Sequence, residues 1–282
     1  MTGKTGTLAE WVWPLAFVIA AGWAVWHLPA YILDFAPHET QSLFDQVSAI
    51  HARKDVTPGL PGLFGGFADP VDWLALVLLP VFAFFGIRTV RVAHMEFQDW
   101  RRIDKFSIFV GRVTMVLILA MTLIMLYEVF LRYVIEAPTL WANELTLWIA
   151  GFVFLCSGLY AMQQRCHIRI FLIYDMVPRS VQRAFDTIWA ALIVIFAAFL
   201  VFGSYKQVFI VKFHRWEMFG TAFDPPIPAT IQPMILIIVV LIALQTISNL
   251  ISDWNAEPTI HTAADDIDED DLEAIKRRLE EK

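Results

Sequence analysis

Long apolar stretches without charged residues constrain this chain more than any other feature of its sequence. Residues 11–33 contain no charged side chain, and neither do residues 225–252. A bilayer core about 30 Å thick is crossed by roughly 20 apolar residues in a helix. Because no water is present there to bind the backbone, only helices and closed barrels can cross it. Barrel strands would alternate polar and apolar residues, which these stretches do not, so the sequence predicts membrane-spanning helices.

Composition supports this prediction and locates the net charge. Only 17% of the 282 residues are charged, compared with about 25% in soluble domains. The net charge of −7 is mostly local, because residues 255–282 hold ten acidic and four basic side chains. The acidity therefore describes a polar tail and does not indicate attraction for basic partners.

The sequence predicts an all-α, polytopic membrane protein with about six transmembrane helices and additional amphipathic helices at the interface. The predicted spans are residues 11–33, 73–87, 106–127, 145–164, 187–205 and a segment within 225–252. The second is the shortest, since Asp72 and Arg88 bracket it and Pro80 interrupts it. The predicted interfacial helices are residues 39–54, 167–177 and 206–219.

Basic residues concentrate in two connections, which are therefore predicted to be cytosolic. The connection between the second and third spans holds Arg88, Arg91, Arg101, Arg102 and Lys105, and the next such connection holds Arg165, Arg169, Arg179 and Arg183. The loop 34–70 and the segment around Arg132 are poor in basic residues and should lie outside, which leaves both termini in the cytosol. Only Lys4 precedes the long, tryptophan-rich first span, so we expect that span to be retained rather than cleaved as a signal sequence.

No arrangement of residues indicates catalysis. The chain has no glycine-rich phosphate loop and no HExxH motif, and Cys156 and Cys166 do not have the spacing of metal ligands. His27 is the only histidine within an apolar stretch, so an intramembrane haem is not expected. No span carries carboxylates at its centre, whereas carriers need polar groups at mid-membrane. We therefore expect no enzymatic activity, and no catalytic, cofactor-binding or metal-binding residues.

Polar residues are grouped instead around the third and fourth spans. Glu128 and Arg132 are four residues apart and can pair on one helix face, and Tyr133 follows them. Trp141 and Glu144 open the fourth span, where the helix dipole favours a negative charge. Each residue alone also fits an ordinary span end that is capped and reaches towards water.

The order of these residues resembles a known family. Glu128-Val129-Phe130-Leu131-Arg132-Tyr133 is followed by Pro138, Trp141 and Glu144, and then by Arg165-Cys166-His167-Ile168-Arg169-Ile170. This order resembles the small membrane subunit of tripartite ATP-independent periplasmic (TRAP) transporters, the DctQ-like small permease. The resemblance divides the chain into an N-terminal extension with two spans (1–99), a four-span small-permease domain (100–254) and an acidic cytosolic tail (255–282). The extension has no counterpart in the basic family plan, and Cys166 stands where the family has a small residue.

The resemblance implies a role in transport at the bacterial inner membrane. In that family a periplasmic substrate-binding protein delivers an organic anion, commonly a carboxylate. A large permease subunit holds the substrate and sodium sites, and the small subunit acts as a scaffold. The expected partners are that large subunit, the binding protein and membrane lipid, with no nucleic acid. The candidate interface or structural residues are Glu128, Arg132, Tyr133, Trp141, Glu144, Arg165 and His167. Two alternatives are a membrane anchor of a redox enzyme complex and a stand-alone carrier.

Overall fold

The regular secondary structure is entirely helical in the part of the chain that the structure describes. The structure is a computed structural model, and it describes residues 8–29, 31, 68, 70–91, 93, 96, 101–165, 174, 176–213 and 216–255. The helices are α1 (Ala9–Trp26), α2 (Pro70–Thr89), α3 (Asp104–Phe130), α4 (Trp141–Gln163), α5 (Arg179–Tyr205) and α6 (Ile227–Asp253). The predicted class, an all-α polytopic membrane protein, is confirmed.

Five of these helices are long and apolar enough to cross a membrane: α2 to α6. Each contains the corresponding predicted span, apart from a residue or two at its ends. The first helix is a shorter apolar helix of 18 residues. It ends at Trp26 because the backbone of His27 leaves the helical conformation, whereas the sequence predicted a span to residue 33. The sixth crossing therefore stays a prediction.

Two helices continue beyond their α-helical part as π-helical segments. Leu131–Ile135 extends α3, and Lys206–Phe213 extends α5. The prediction of a separate interfacial helix at residues 206–219 was therefore wrong, because α5 runs into this segment without a break. The predicted interfacial helix 39–54 lies outside the described residues, as do most of 167–177, most of the loop 34–70 and the acidic tail.

Neighbouring helices in the bundle pack in a defined order. α1 and α2 pack against each other and against α3, α3 packs against α4, α4 against α6, and α6 against α5. Glycines allow three of these helix pairs to approach closely, as is common between helices in membranes. A Cβ atom at Gly86 or Gly111 would lie 2.2 or 2.3 Å from the ring of Phe109 or Tyr160, respectively. At Gly151 it would lie 2.8 Å from Ile231.

The N-terminal hairpin of α1 and α2 shares a core with α3. Val90 is buried against Ile108, Phe109 and Val113, and Phe17 of α1 packs on the same cluster. At the opposite end of α1, the Trp26 ring stacks on Phe223 and contacts Trp148, with centroids 5.3 and 5.4 Å apart. The hairpin is therefore packed onto the following helices at both of its ends. The domain boundary at residue 99 stays a prediction.

Candidate functional site

Glu128 is a buried carboxylate that fixes the turn after α3. One of its oxygens accepts a hydrogen bond from Arg132 at 2.8 Å, which is the pair that the four-residue spacing predicted. The other oxygen accepts the backbone N–H of Thr139 at 3.2 Å and also the Thr139 hydroxyl. Between these partners Glu136 adopts a left-handed conformation with φ 60°. Glu128 thus holds both sides of the reversal that leads from α3 to α4.

Glu144 lies in the first turn of α4, as predicted, and accepts hydrogen bonds from the loop that precedes α6. Its Oε2 atom accepts a hydrogen bond from the Thr221 hydroxyl at 2.6 Å. The same oxygen accepts the backbone N–H groups of Phe223 and Asp224, each at 3.2 Å. One carboxylate oxygen therefore fixes three groups of a loop about 80 residues away in sequence.

Tyr133 and Trp141 do not join either carboxylate. The Tyr133 side chain is 76% exposed. The Trp141 ring is tilted against Tyr127, with 6.4 Å between centroids. The residues that the sequence grouped together thus form two separate contacts, flanked by aromatic side chains of the kind found at membrane interfaces.

Arg165 lies at the other end of the bundle. It forms a two-pronged pair with Asp253, with both N–O distances 2.8 Å. Arg179 and Arg183 donate to the backbone carbonyls of Asp253 and Trp254 at 2.6 and 3.0 Å. Positive charge is favourable at a helix C-terminus, so three arginines stabilise the end of α6. His167 lies outside the described residues.

Four residues that the sequence did not bring together form a buried ionic cluster at this same end: Glu10, Glu96, Arg112 and Tyr160. Arg112 donates to both oxygens of Glu96, at 2.7 and 2.9 Å, and lies 3.4 Å from Glu10. Tyr160 donates to Glu96 at 2.6 Å. The cluster joins α1, the α2–α3 connection, α3 and α4. The only sequence feature that indicated this cluster was the position of Glu10 and Arg112 near the starts of apolar stretches.

Glu96 lies outside the spanning helices, and its environment favours the ionised form. Burial raises its pKa, but hydrogen bonds from Arg112, the backbone of Ala93 and Tyr160 outweigh that effect and hold the pKa below its ordinary value of 4.5. A charged Glu96 therefore stays paired with Arg112 at neutral pH.

Two further polar clusters connect neighbouring helices, and both lie near the ends of the bundle. Gln245 of α6 donates to Asp104 at 2.7 Å and accepts from Ser107 at 2.9 Å, both at the start of α3. At the other end, the Trp23 indole of α1 donates to the buried carboxylate of Asp72 at 2.6 Å. Buried polar groups in membrane proteins need such partners, so these contacts fix helix register.

The polar contacts described above thus hold helices together. Charged and amide side chains of the described helices lie within about two turns of a helix end. Hydroxyls deeper in the helices, such as those of Thr122 and Ser157, bind carbonyls of their own helix. Among the described residues no group of three histidine, cysteine, aspartate or glutamate side chains could hold a metal ion. Cys156 is buried and forms no disulfide with another described residue.

Comparison with known proteins matches the C-terminal part of the chain. Residues 121–256 match the family model described as the DctQ component of tripartite ATP-independent periplasmic transporters. The chain is also similar to the C4-dicarboxylate TRAP transporter small permease protein DctQ of Vibrio cholerae, with 24% identity over 142 residues. That match covers 49% of this chain and 60% of the relative. No solved structure matches the chain. The family match begins within α3 and covers α4 to α6, so α1 and α2 lie outside it.

Proposed function

We propose that this chain, whose residues 121–256 match the DctQ component of TRAP transporters, is a DctQ-like small permease that acts as the scaffold subunit of a binding-protein-dependent transporter. In this proposal the chain braces a large permease subunit that carries the solute. A periplasmic substrate-binding protein delivers the solute to that assembly. The chain itself carries out no chemical reaction.

The distribution of polar groups is the observation that supports a scaffold. Carriers place substrate and ion sites near the bilayer midplane, formed by interrupted helices and inward polar groups. In the described helices the charged and amide side chains lie near the helix ends instead, and those of Arg112, Glu144, Arg165 and Gln245 bind other parts of this chain. Such a bundle is suited to keeping its shape while a neighbouring subunit moves.

The contacts of Glu144 and Arg165 support the same role at opposite ends of the bundle. Glu144 ties α4 to the loop before α6, and Arg165 ties the end of α4 to the end of α6. Together they hold α4 and α6 in a fixed register. A rigid pair of helices offers a constant surface to a partner in the membrane.

We further propose that the transported solute is an organic anion, with a carboxylate as the class to test first, and that uptake is coupled to sodium. The similar Vibrio cholerae protein is named as a C4-dicarboxylate transporter component, which supports this choice of class. The concentration of arginines at one end of the bundle supports an inner-membrane orientation with both termini in the cytosol.

Affinity purification tests the proposed assembly. The tagged chain is purified in mild detergent from cells of its native host, in which any large permease partner is also expressed. A much larger multi-span partner should be recovered at fixed stoichiometry, and the pure complex should show no haem absorbance in the Soret region. Recovery of a stable, monodisperse chain alone would contradict the proposal, and a Soret band would favour a redox anchor.

Variants at Glu144 and Arg132 test whether these residues act in assembly of the complex or in solute binding. Glu144→Gln and Arg132→Ala should lower the yield of the complex, because each weakens a contact that shapes a loop. The complex that does form should bind solute with unchanged affinity. Thr122→Ala is the matched control, since the Thr122 hydroxyl is exposed and binds only the carbonyl of Ile118 in its own helix. Normal assembly with weakened solute binding would assign these residues to the transport site instead.

A further inference from the structure

Four exposed arginines, one in the last turn of α2 and three in the connection to α3, are not used by the scaffold role. They are Arg88, Arg91, Arg101 and Arg102, here called the arginine collar. We propose that the arginine collar is a docking surface for the phosphate headgroups of anionic phospholipids.

The arginines of the collar differ from the other arginines at this end of the bundle in what they bind. Arg112, Arg165, Arg179 and Arg183 donate to carboxylates or carbonyls of the chain itself. The collar arginines are exposed, and within the described part of the chain no carboxylate pairs with their guanidinium groups. Their charges are therefore available to a partner outside the chain.

Packing of α2 against α3 brings the collar arginines to the same edge of the bundle. Gly86 of α2 touches the ring of Phe109 of α3, and Val90 is buried beside Ile108. Arg91 and Arg101 lie five and eight residues beyond this contact on their respective sides. The end of α2 at Thr89 and the start of α3 at Asp104 lie three and five residues from this contact, so at about 1.5 Å per helical residue both helix ends lie within roughly 8 Å of it, and the collar arginines flank these ends.

Two described carboxylates near the collar are already engaged. Glu96 pairs with Arg112, and Asp104 accepts from Gln245 and from the backbone N–H of Arg101. Neither neutralises a collar guanidinium. The local excess of positive charge favours an anion as the occupant.

Apolar side chains beside the collar favour a lipid as the source of that anion. Phe84, Phe85, Ile103 and Phe106 are exposed on the same ends of α2 and α3. The Arg88 guanidinium lies over the Phe84 ring, with 4.5 Å between its Cζ atom and the ring centroid. An arginine held at the edge of an apolar face reaches a headgroup while acyl chains cover the aromatic rings.

Lipid binding to the purified full chain tests this proposal. Native mass spectrometry in a neutral detergent measures binding of phosphatidylglycerol and of phosphatidylcholine with the same acyl chains. We expect phosphatidylglycerol to bind at least about tenfold more tightly. Arg101→Gln with Arg102→Gln should weaken phosphatidylglycerol binding by roughly 30-fold, or about fivefold for each basic residue near an anionic surface. Arg101→Lys with Arg102→Lys should retain most of the binding.

Matched variants and a soluble anion make the test decisive. Lys206→Gln removes an exposed charge at the opposite end of the bundle and should leave binding unchanged. Helical content and elution volume show whether each variant is folded, and Arg88→Gln with Arg91→Gln replaces the first pair if that pair misfolds. Equal binding of the two lipids, unchanged binding in the folded glutamine variants, or an equal loss in Lys206→Gln would overturn the proposal. Displacement of the lipid by inorganic phosphate at equal concentration would also overturn it, in favour of a plain ion site.

Discussion

Gly86→Ala provides a sharp test of how the N-terminal hairpin packs on α3. A Cβ atom at this position would lie 2.2 Å from Cε2 and 2.8 Å from Cδ2 of Phe109. Carbon atoms in favourable contact are about 3.5–4.0 Å apart, so the ring would have to retreat by more than about 1 Å. Phe109 is only 2% exposed and packs edge-on against Phe17, which leaves the ring little room to move.

The expected loss follows from two opposing effects. Extra atoms in a well-packed core cost about 1–3 kcal/mol. Alanine is a better helix former than glycine by about 1 kcal/mol, which offsets part of that cost. Gly22→Ala in α1 has the same helix-forming gain but nothing within 4 Å of the new atom. The difference in unfolding free energy between the two variants therefore isolates the clash, at about 1–3 kcal/mol.

Unfolding in mixed detergent and dodecyl sulfate micelles, followed by circular dichroism, measures this difference. Gly86→Ala should be less stable than Gly22→Ala, and the shorter side chain of Phe109→Leu should reduce the penalty in a double-variant cycle. If both glycine variants were equally stable, or if Phe109→Leu did not change the penalty, the described contact between α2 and α3 would be wrong.

Three further predictions concern the ionic contacts at the end of the bundle where Arg112 and Arg165 lie. Arg112→Gln should destabilise the protein by about 3–5 kcal/mol in the same unfolding assay, because it leaves buried carboxylates without their partner; a loss below 1 kcal/mol would argue against the cluster. The folded-state pKa of Glu96 is lowered, so its stabilisation is fully present above its ordinary value of 4.5 and is lost as the pH falls through the folded-state pKa. Unfolding measured from pH 7 to pH 3 should show this loss of stability in acid. The loss should be smaller in Glu96→Gln. If Glu96→Gln had the same pH profile as the unchanged protein, the prediction would be refuted. Asp253→Asn should cost no more than about 1 kcal/mol, because its pair with Arg165 is partly exposed; a much larger loss would show a role beyond this pair.

The spanning helices could be predicted from the sequence because the bilayer sets their length. The described helices α2 to α6 contain the predicted spans, since each span needs roughly 20 apolar residues whatever its neighbours are. The pair Glu128–Arg132 could also be predicted, because residues four apart on a helix face are neighbours. Both inferences depend only on local sequence.

The contacts that hold the bundle together depend on residues that are far apart, and the sequence did not reveal them. Glu10 and Arg112 are 102 residues apart, and Glu144 meets its loop partners after about 80 residues. Such pairs follow from the order in which helices pack, which apolar length alone does not determine. The continuation of α5 through Lys206–Phe213 was missed for a related reason, because charged residues at a span end predict an interfacial helix equally well.

The proposed scaffold role requires that the described helices of this chain serve as supports that hold no solute. A structure of the complete transporter, determined with solute at saturating concentration, tests this most directly. We expect solute density only in the large subunit, with the contacts of Glu144, Arg112 and Arg165 unchanged. Solute or metal density enclosed entirely by helices of this chain, from α1 to α6, would contradict the scaffold role.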